Sequence, residues 1–299
     1  MAELVKSSLH ILPRGETGEY IRMTPESAGW EHLGFAARLM KRGEEWEAES
    51  GEFEYGLVVL GGLCSVRSSR GDWPVVGRRA DVFSGMPYGL YLPPKTRFRI
   101  KAESDQVDLA YGWAAAEGRY SARLVTPKDV IIEIRGGGNA TRQINSIFPP
   151  GFACERLVAV EVYTPAGNWS SYPPHKHDVH RVDAAGRLLE ADLEEVYFYK
   201  IDPAQGYAIQ RVYTSDGRLN ETIVAGNNQA VLVPEGYHPV AAAPGYNTYY
   251  LNFLAGSAQS LANSDDPVHA WIKNSWREKD PRVPMVSLAM ENAPASNSP

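Results

Sequence analysis

Apolar and polar residues alternate in short runs along this chain, and long stretches of 3.6-residue periodicity are scarce. In the first half the β-type runs are 55–60, 96–101, 106–113 and 120–125. In the second half they are 157–163, 196–201, 208–214, 229–234 and 248–254. Gly, Pro, Asn and Asp punctuate them, which is the pattern of antiparallel sandwiches or barrels. Helix is expected only in small pieces, within 25–42 and over 267–276. The polar tail from about Glu291 is expected to be disordered.

A composition break falls at Arg-Gly-Gly-Gly-Asn, residues 135–139. No Gly-Lys-Ser/Thr follows and no strand-to-helix pattern surrounds it, so it is read as a turn or linker rather than a phosphate loop. The halves on either side show a faint internal repeat. Glu195 opens one aromatic strand and His238 follows it; Glu54 opens another, with Arg97 in the place of His238. The separation is 43 residues in both cases. The repeat implies two similar β-barrels in tandem, with a metal site in the second only. The expected division is a first barrel over 1–140, a metal-binding barrel over 141–265 and a C-terminal extension over 266–299.

Composition narrows the function classes. A formal charge of −6 with a pI near 5.7 argues against a nucleic-acid binder, which needs a basic face. No run of about 18 apolar residues is present to span a membrane, and the N-terminal residues lack a secretory apolar stretch. A cytoplasmic protein is the expectation. Cys64 and Cys154 stand far apart and are read as free buried thiols.

The chemistry concentrates in residues 167–180, GNWSSYPPHKHDVH, where three of the seven histidines fall within six residues. On a strand, His175 and His177 would share one face and reach one ion, because side chains alternate with period two. Downstream, Glu194 and Glu195 lead into an aromatic strand, and His238 follows a Pro-Glu-Gly turn. Alternation puts Glu195 in phase with Tyr197 and Tyr199, and Glu194 with Val196 and Phe198. If the polar face lines the site, Glu195 is the ligand. Three neutral imidazoles and one carboxylate suit Zn, Fe, Mn, Ni or Co without choosing among them; zinc is the first expectation. Taken singly, a His-x-His in a loop can be solvated and inert, so the set as a whole carries the reading. His180 is out of strand phase, and His10, His32 and His269 have no partners nearby in sequence.

At these residues the sequence resembles bicupins, and more narrowly the 5-deoxyglucuronate isomerase family of inositol catabolism. The strings that carry the likeness are WSSYPPHKHD at 169–178, LEEVYFY at 193–199, QRVYT at 210–214, VLVPEGYHPV at 231–240 and PGYNTYYLNFLAG at 244–256. Shorter strings at 81–94, 135–144, 266–272 and 280–286 extend it over nearly the whole chain. It departs from the generic cupin pattern in the long gap between His177 and Glu195, which implies an insertion roofing the pocket. A more distant likeness is to the 4-deoxy-5-hexosulose-uronate isomerases.

The resemblance implies two tandem jelly-roll-like barrels and ketol isomerisation of 5-deoxy-D-glucuronate to 5-dehydro-2-deoxy-D-gluconate at a divalent metal. Such a reaction needs a base to move a proton between neighbouring carbons. A metal-bound hydroxide, Glu194, Asp178 and an ionised Tyr197 are the candidates. The substrate carboxylate needs a cation, for which Arg142, Lys176 and Arg211 are available. Tyr197, Tyr237, Tyr250 and Asn252 are candidates for the sugar hydroxyls, with sheet packing as the alternative for each. The ligand set alone leaves an Fe(II) dioxygenase or a non-catalytic sugar-binding cupin open. A small sugar acid is the expected partner, and a homo-oligomer is expected because sheet edges need covering.

Overall fold

The computed structural model describes residues 8–292. Of the tail expected to be disordered from about Glu291, residues 293–299 lie outside them, and the first two residues end the 3-10 stretch Leu288–Asn292. Strands dominate, and no helix among the described residues is long and apolar enough to cross a membrane.

Two barrels stand side by side. The first pairs a six-stranded sheet, whose centre is Gly34–Lys41, Gln106–Ala115 and Phe53–Gly61, with a four-stranded sheet of Glu45–Glu49, Arg97–Ala102, Cys64–Ser68 and Gly71–Val76. The second pairs an eight-stranded sheet, centred on Leu188–Asp202, Asn247–Gly256 and Val158–Thr164, with a four-stranded sheet built on Tyr207–Tyr213. The two large sheets pack face to face. Phe35 of the first meets Phe198 and Phe253 of the second, with ring centroids 5.6 and 5.9 Å apart. Both faces of these central strands are buried, so they read as near-continuous apolar runs.

That explains why one central strand did not show in the sequence, while helix is confined to small pieces as expected. Residues 25–42 hold only a four-residue helix, Pro25–Ala28, capped by Thr24. Gly34–Lys41 is a central strand, whose consecutive buried residues do not alternate. Toward the C-terminus, the expected helix over 267–276 is a single 3-10 stretch, Ala270–Ser275.

The sheets also cross the division expected at residue 140. Ile131–Arg135 already pairs with Arg142–Phe148 in the second barrel's sheet. The strand His10–Ile11, which precedes the first barrel, pairs with Val231 and Ala230 in the second barrel's sheet.

Strand pairing sets the register of the repeat. Tyr55 lies opposite Leu92 and Trp113, as Glu195 lies opposite Val233 and Leu254. Tyr55 is therefore the counterpart of Glu195, and Glu54 that of Glu194, one residue away from the alignment read in the sequence. Arg97 keeps its place as the counterpart of His238, and it is exposed. The first barrel is filled with rings where the second holds its polar cluster. Trp46 packs on Tyr111 at 4.7 Å and on Phe98 at 5.3 Å, and Tyr55 stacks on Trp113 at 5.9 Å.

Both cysteines are free and buried. Burial pushes the Cys64 thiol up to about 12, which leaves it inert as a nucleophile.

Candidate metal centre

His175, His177, Glu195 and His238 converge inside the second barrel. His175 opens the site from the short strand His175–Lys176, which pairs with Ser264–Asp265. Glu195 sits in the middle of the sheet with a strand on either side. His238 follows Gly236, whose φ of +83° and whose position 2.4 Å from the Tyr213 carbonyl oxygen, measured from where a Cβ would stand, restrict it to glycine.

Donor atoms of His177, Glu195 and His238 lie within 4.8 Å of one another, and all three residues are buried. The His175 ring stands 4.8 Å from that of His238 and 6.3 Å from that of His177. Its ring stands beside the cluster, and its nitrogens are not among the tight three.

Hydrogen bonding fixes what the imidazoles offer. His177 Nδ1 is 3.0 Å from the Leu193 carbonyl oxygen, and His238 Nδ1 is 2.8 Å from that of Gly236. A carbonyl oxygen only accepts, so both Nδ1 atoms carry hydrogen, and the neutral rings aim Nε2 lone pairs inward. These two nitrogens lie 2.9 and 3.2 Å from the same oxygen, Glu195 Oε2. Two lone pairs facing an anionic oxygen repel unless protons or a cation lie between them. His238 Nε2 makes no aligned hydrogen bond, which leaves a buried donor-set atom unsatisfied. The arrangement fits a divalent ion, with backbone carbonyls holding the ligand rings as outer partners do at metal sites.

The carboxylate draws positive charge toward itself: burial works against a charged His177, yet the hydrogen bond to Glu195 and its charge raise that imidazole above its ordinary value. Burial works against the Glu195 carboxylate, yet the two imidazoles hold it down at about 2. Burial and the neighbouring imidazoles push His175 well below its ordinary value. A neutral ring is the form that ligates.

A layer of hydroxyls lies over the cluster. Tyr197 and Tyr250 pack at a tilt with ring centroids 4.7 Å apart, and each shares a hydrogen bond with Ser171 Oγ, at 2.9 and 3.3 Å. Burial and the Glu195 charge raise Tyr197 well above 10, so its hydroxyl keeps its proton. Asn252 pairs directly opposite Tyr197, with its Nδ2 donating to the Val196 carbonyl.

Arg142 lies against this layer. Its Nη1 donates to the carbonyls of Ala140 and Tyr172, each at 3.1 Å. Among the described residues no carboxylate lies within ion-pair distance of it, and burial lowers the guanidinium to about 10. A buried cation without a carboxylate is unusual enough to need a reason.

Other candidates fall elsewhere. Glu194 points to the first barrel, where its oxygens accept backbone N–H bonds from Glu31, His32 and Leu33 at 2.6–2.9 Å. Its carboxylate is a clamp between barrels and does not reach the cluster as a base. Asp178 accepts from Lys176 and from the Gly236 N–H, and Lys176 also binds Glu190, so both belong to an ion network outside the ligand loop. Arg211 is exposed, binds Asn220 and lies over the Tyr213 ring. Tyr237 packs on Tyr213 rather than facing the ligands. The insertion after His177 is no roof either. Asp178–Val182 and the start of Leu188–Asp202 form a hairpin with an exposed face. Ser171 was missed from the sequence; the WSSYPP string held it, but nothing there showed which hydroxyl turns inward.

Known proteins resemble this chain over most of its length. The profile of the KduI/IolB family matches residues 9–272. The chain is 43% identical over 261 residues to the 5-deoxy-glucuronate isomerase of Geobacillus thermodenitrificans, covering 87% of this chain and 93% of that one. It is 36% identical to the enzyme of the same name from Bacillus subtilis, covering 84% and 91%. The crystal structure of an IolB-like protein from Salmonella typhimurium superposes with a TM-score of 0.85 at 38% identity, covering 89% and 99%. A variant of Bacillus subtilis oxalate decarboxylase superposes with a TM-score of 0.57 at 13% identity, covering 85% and 77%, a likeness of fold alone. With matches of this extent and identity, the chain belongs to the KduI/IolB family.

Proposed function

We propose that this chain is a 5-deoxy-glucuronate isomerase, converting 5-deoxy-D-glucuronate to 5-dehydro-2-deoxy-D-gluconate in inositol catabolism. The observation that carries the reading is the 43% identity to a relative of that name over 93% of its length. The site supplies parts that suit the chemistry.

His177, Glu195 and His238 would hold the divalent ion, with His175 beside them as the fourth ligand and zinc as the first expectation. When bound, the ion acts as a Lewis acid toward the substrate's carbonyl and adjacent hydroxyl. Arg142 takes the substrate carboxylate, since it is the buried guanidinium beside the cluster that no carboxylate neutralises. Lys176 and Arg211 are already engaged away from the cluster. Tyr197 Oη and Tyr250 Oη hold protons and donate them as hydrogen bonds to the oxygens that gain charge as the carbonyl shifts. Asn252 adds an amide on the same face. The buried tyrosine layer keeps bulk water from the reacting carbons.

The test is ligand removal. In His177→Ala and Glu195→Ala, metal content measured by elemental analysis is expected to fall to background. Isomerisation is expected to vanish with it, while the far-ultraviolet circular dichroism stays that of the parent. Variants that retained both metal and turnover would remove these residues from the site.

A further inference from the structure

A groove of about 1020 Å³ runs between the Gly-rich loop and the C-terminal segment, on the outer side of the hydroxyl layer. One bank carries Trp169, 40% exposed, with Tyr172 packed on it at 5.2 Å. The other carries Trp271, 63% exposed, and Trp276. Aromatic faces with a few polar groups at the rim suit the C–H faces of a sugar.

The triple glycine brings this groove close to the site. A Cβ on Gly136 would stand 1.9 Å from the Ala140 carbonyl oxygen and 2.9 Å from Arg142 Nη1, and one on Gly137 would meet Trp276 at 2.6 Å. Only glycines let the backbone thread between the groove and the guanidinium.

Two consecutive residues face the groove and the hydroxyl layer. Tyr172 lines the groove, and its carbonyl accepts from Arg142. Ser171, its neighbour, bonds to Tyr197 and Tyr250 over the ligands. Ser171 has φ of +48°, a conformation disfavoured for an L side chain and kept here by the contacts around it. Of the four converging residues only His175 is not fully buried, and it follows this segment directly.

We propose that the groove is the substrate's entrance to the metal centre and that residues 170–174 are its gate, which opens when a carboxylate displaces the Tyr172 carbonyl from Arg142. This rests on the metal-dependent isomerase reading above. The exchange replaces a neutral acceptor by a charged one, a stronger bond, so a sugar acid shifts the gate toward the open state and a neutral sugar does not. The device selects for acids before the reacting carbons reach the ligands.

The experiment follows the loss of metal from the loaded full-length protein to an excess of a colorimetric chelator, alongside turnover. Ser171→Gly fits the backbone and removes the two hydroxyl bonds, so metal release is expected to quicken by roughly an order of magnitude, the worth of a buried hydrogen bond. Asn139→Trp and Ser275→Trp fill the groove from opposite banks and are expected to slow release and lower kcat/KM, with metal content unchanged. Arg67→Trp, on the far sheet of the first barrel, serves as the control and behaves as the parent. Groove-filled variants with parental release and turnover would overturn the entrance, and parental release in Ser171→Gly would overturn the gate. Should release follow the expected order while no sugar acid is isomerised, the gate stands and the isomerase reading fails.

Discussion

Glu195 Oε2 receives two imidazole nitrogens whose opposite ring nitrogens are tied to backbone carbonyls, and the proposed chemistry is centred on this small arrangement. Beside it, Arg142 carries a desolvated charge whose hydrogen bonds go to backbone carbonyls. If it binds the substrate carboxylate, Arg142→Ala removes a charge-assisted pair worth roughly 1.5–3 kcal/mol. Steady-state kinetics are then expected to show kcat/KM reduced about ten- to hundredfold, on the scale of about 1.4 kcal/mol per decade. Arg142→Lys recovers only part of this because it lacks the fork. An unchanged kcat/KM in Arg142→Ala would send the carboxylate elsewhere. At this scale the sequence was partly legible. Period-two alternation separates Glu195 from Glu194, and the structure does put their side chains on opposite faces. Nothing local distinguished Arg142 from Lys176 and Arg211, because its burial comes from residues 172 and 140, which fold over it from two directions.

Among the elements, the C-terminal segment is the one whose attachment depends most visibly on charge. Asp280 binds Arg282 and accepts from Asn168 Nδ2, while its own N–H donates to Thr141. The Arg282 bonds hold its carboxyl well below the usual carboxylate range. A depressed folded-state pKa gives stability that is present above the unfolded value and lost as pH falls toward the folded one. The segment is therefore expected to stay docked at neutral pH and to loosen only below about pH 4. Trp276 fluorescence followed through an acid titration reads this directly, and loosening already at pH 6 would contradict it. Strands with one exposed face, such as Arg97–Ala102, were plain from alternation. Gly34–Lys41 was not, because a strand buried on both faces loses its period.

Across the whole molecule, the barrels are joined by reciprocal grips. Glu54 of the first accepts the N–H groups of Glu155, Arg156 and Leu157, as Glu194 of the second accepts those of residues 31–33. Between them lies a fully buried ion pair, Arg79 with Glu161 at 3.0 Å, bonded further to Tyr163. Burial alone would lower the Arg79 pKa, but Glu161 holds it above its ordinary value. Arg79→Leu leaves the carboxylate uncompensated, so denaturant unfolding is expected to show a loss of about 3–5 kcal/mol. Arg79→Leu with Glu161→Leu should recover much of it, and a double variant no better than the single would deny the coupling. The repeat in the sequence signalled two barrels, yet the exchange of His10–Ile11 into the second had no local trace. The central claim, that a metal held by the second barrel isomerises a sugar acid, is tested most directly by NMR of 5-deoxy-D-glucuronate incubated without oxygen with the metal-loaded protein. The aldehyde signal should disappear as the ketone product grows in equal amount, and the Glu195→Ala protein should leave it untouched. A stable aldehyde signal under these conditions, or loss of it only when air is admitted, would contradict the claim.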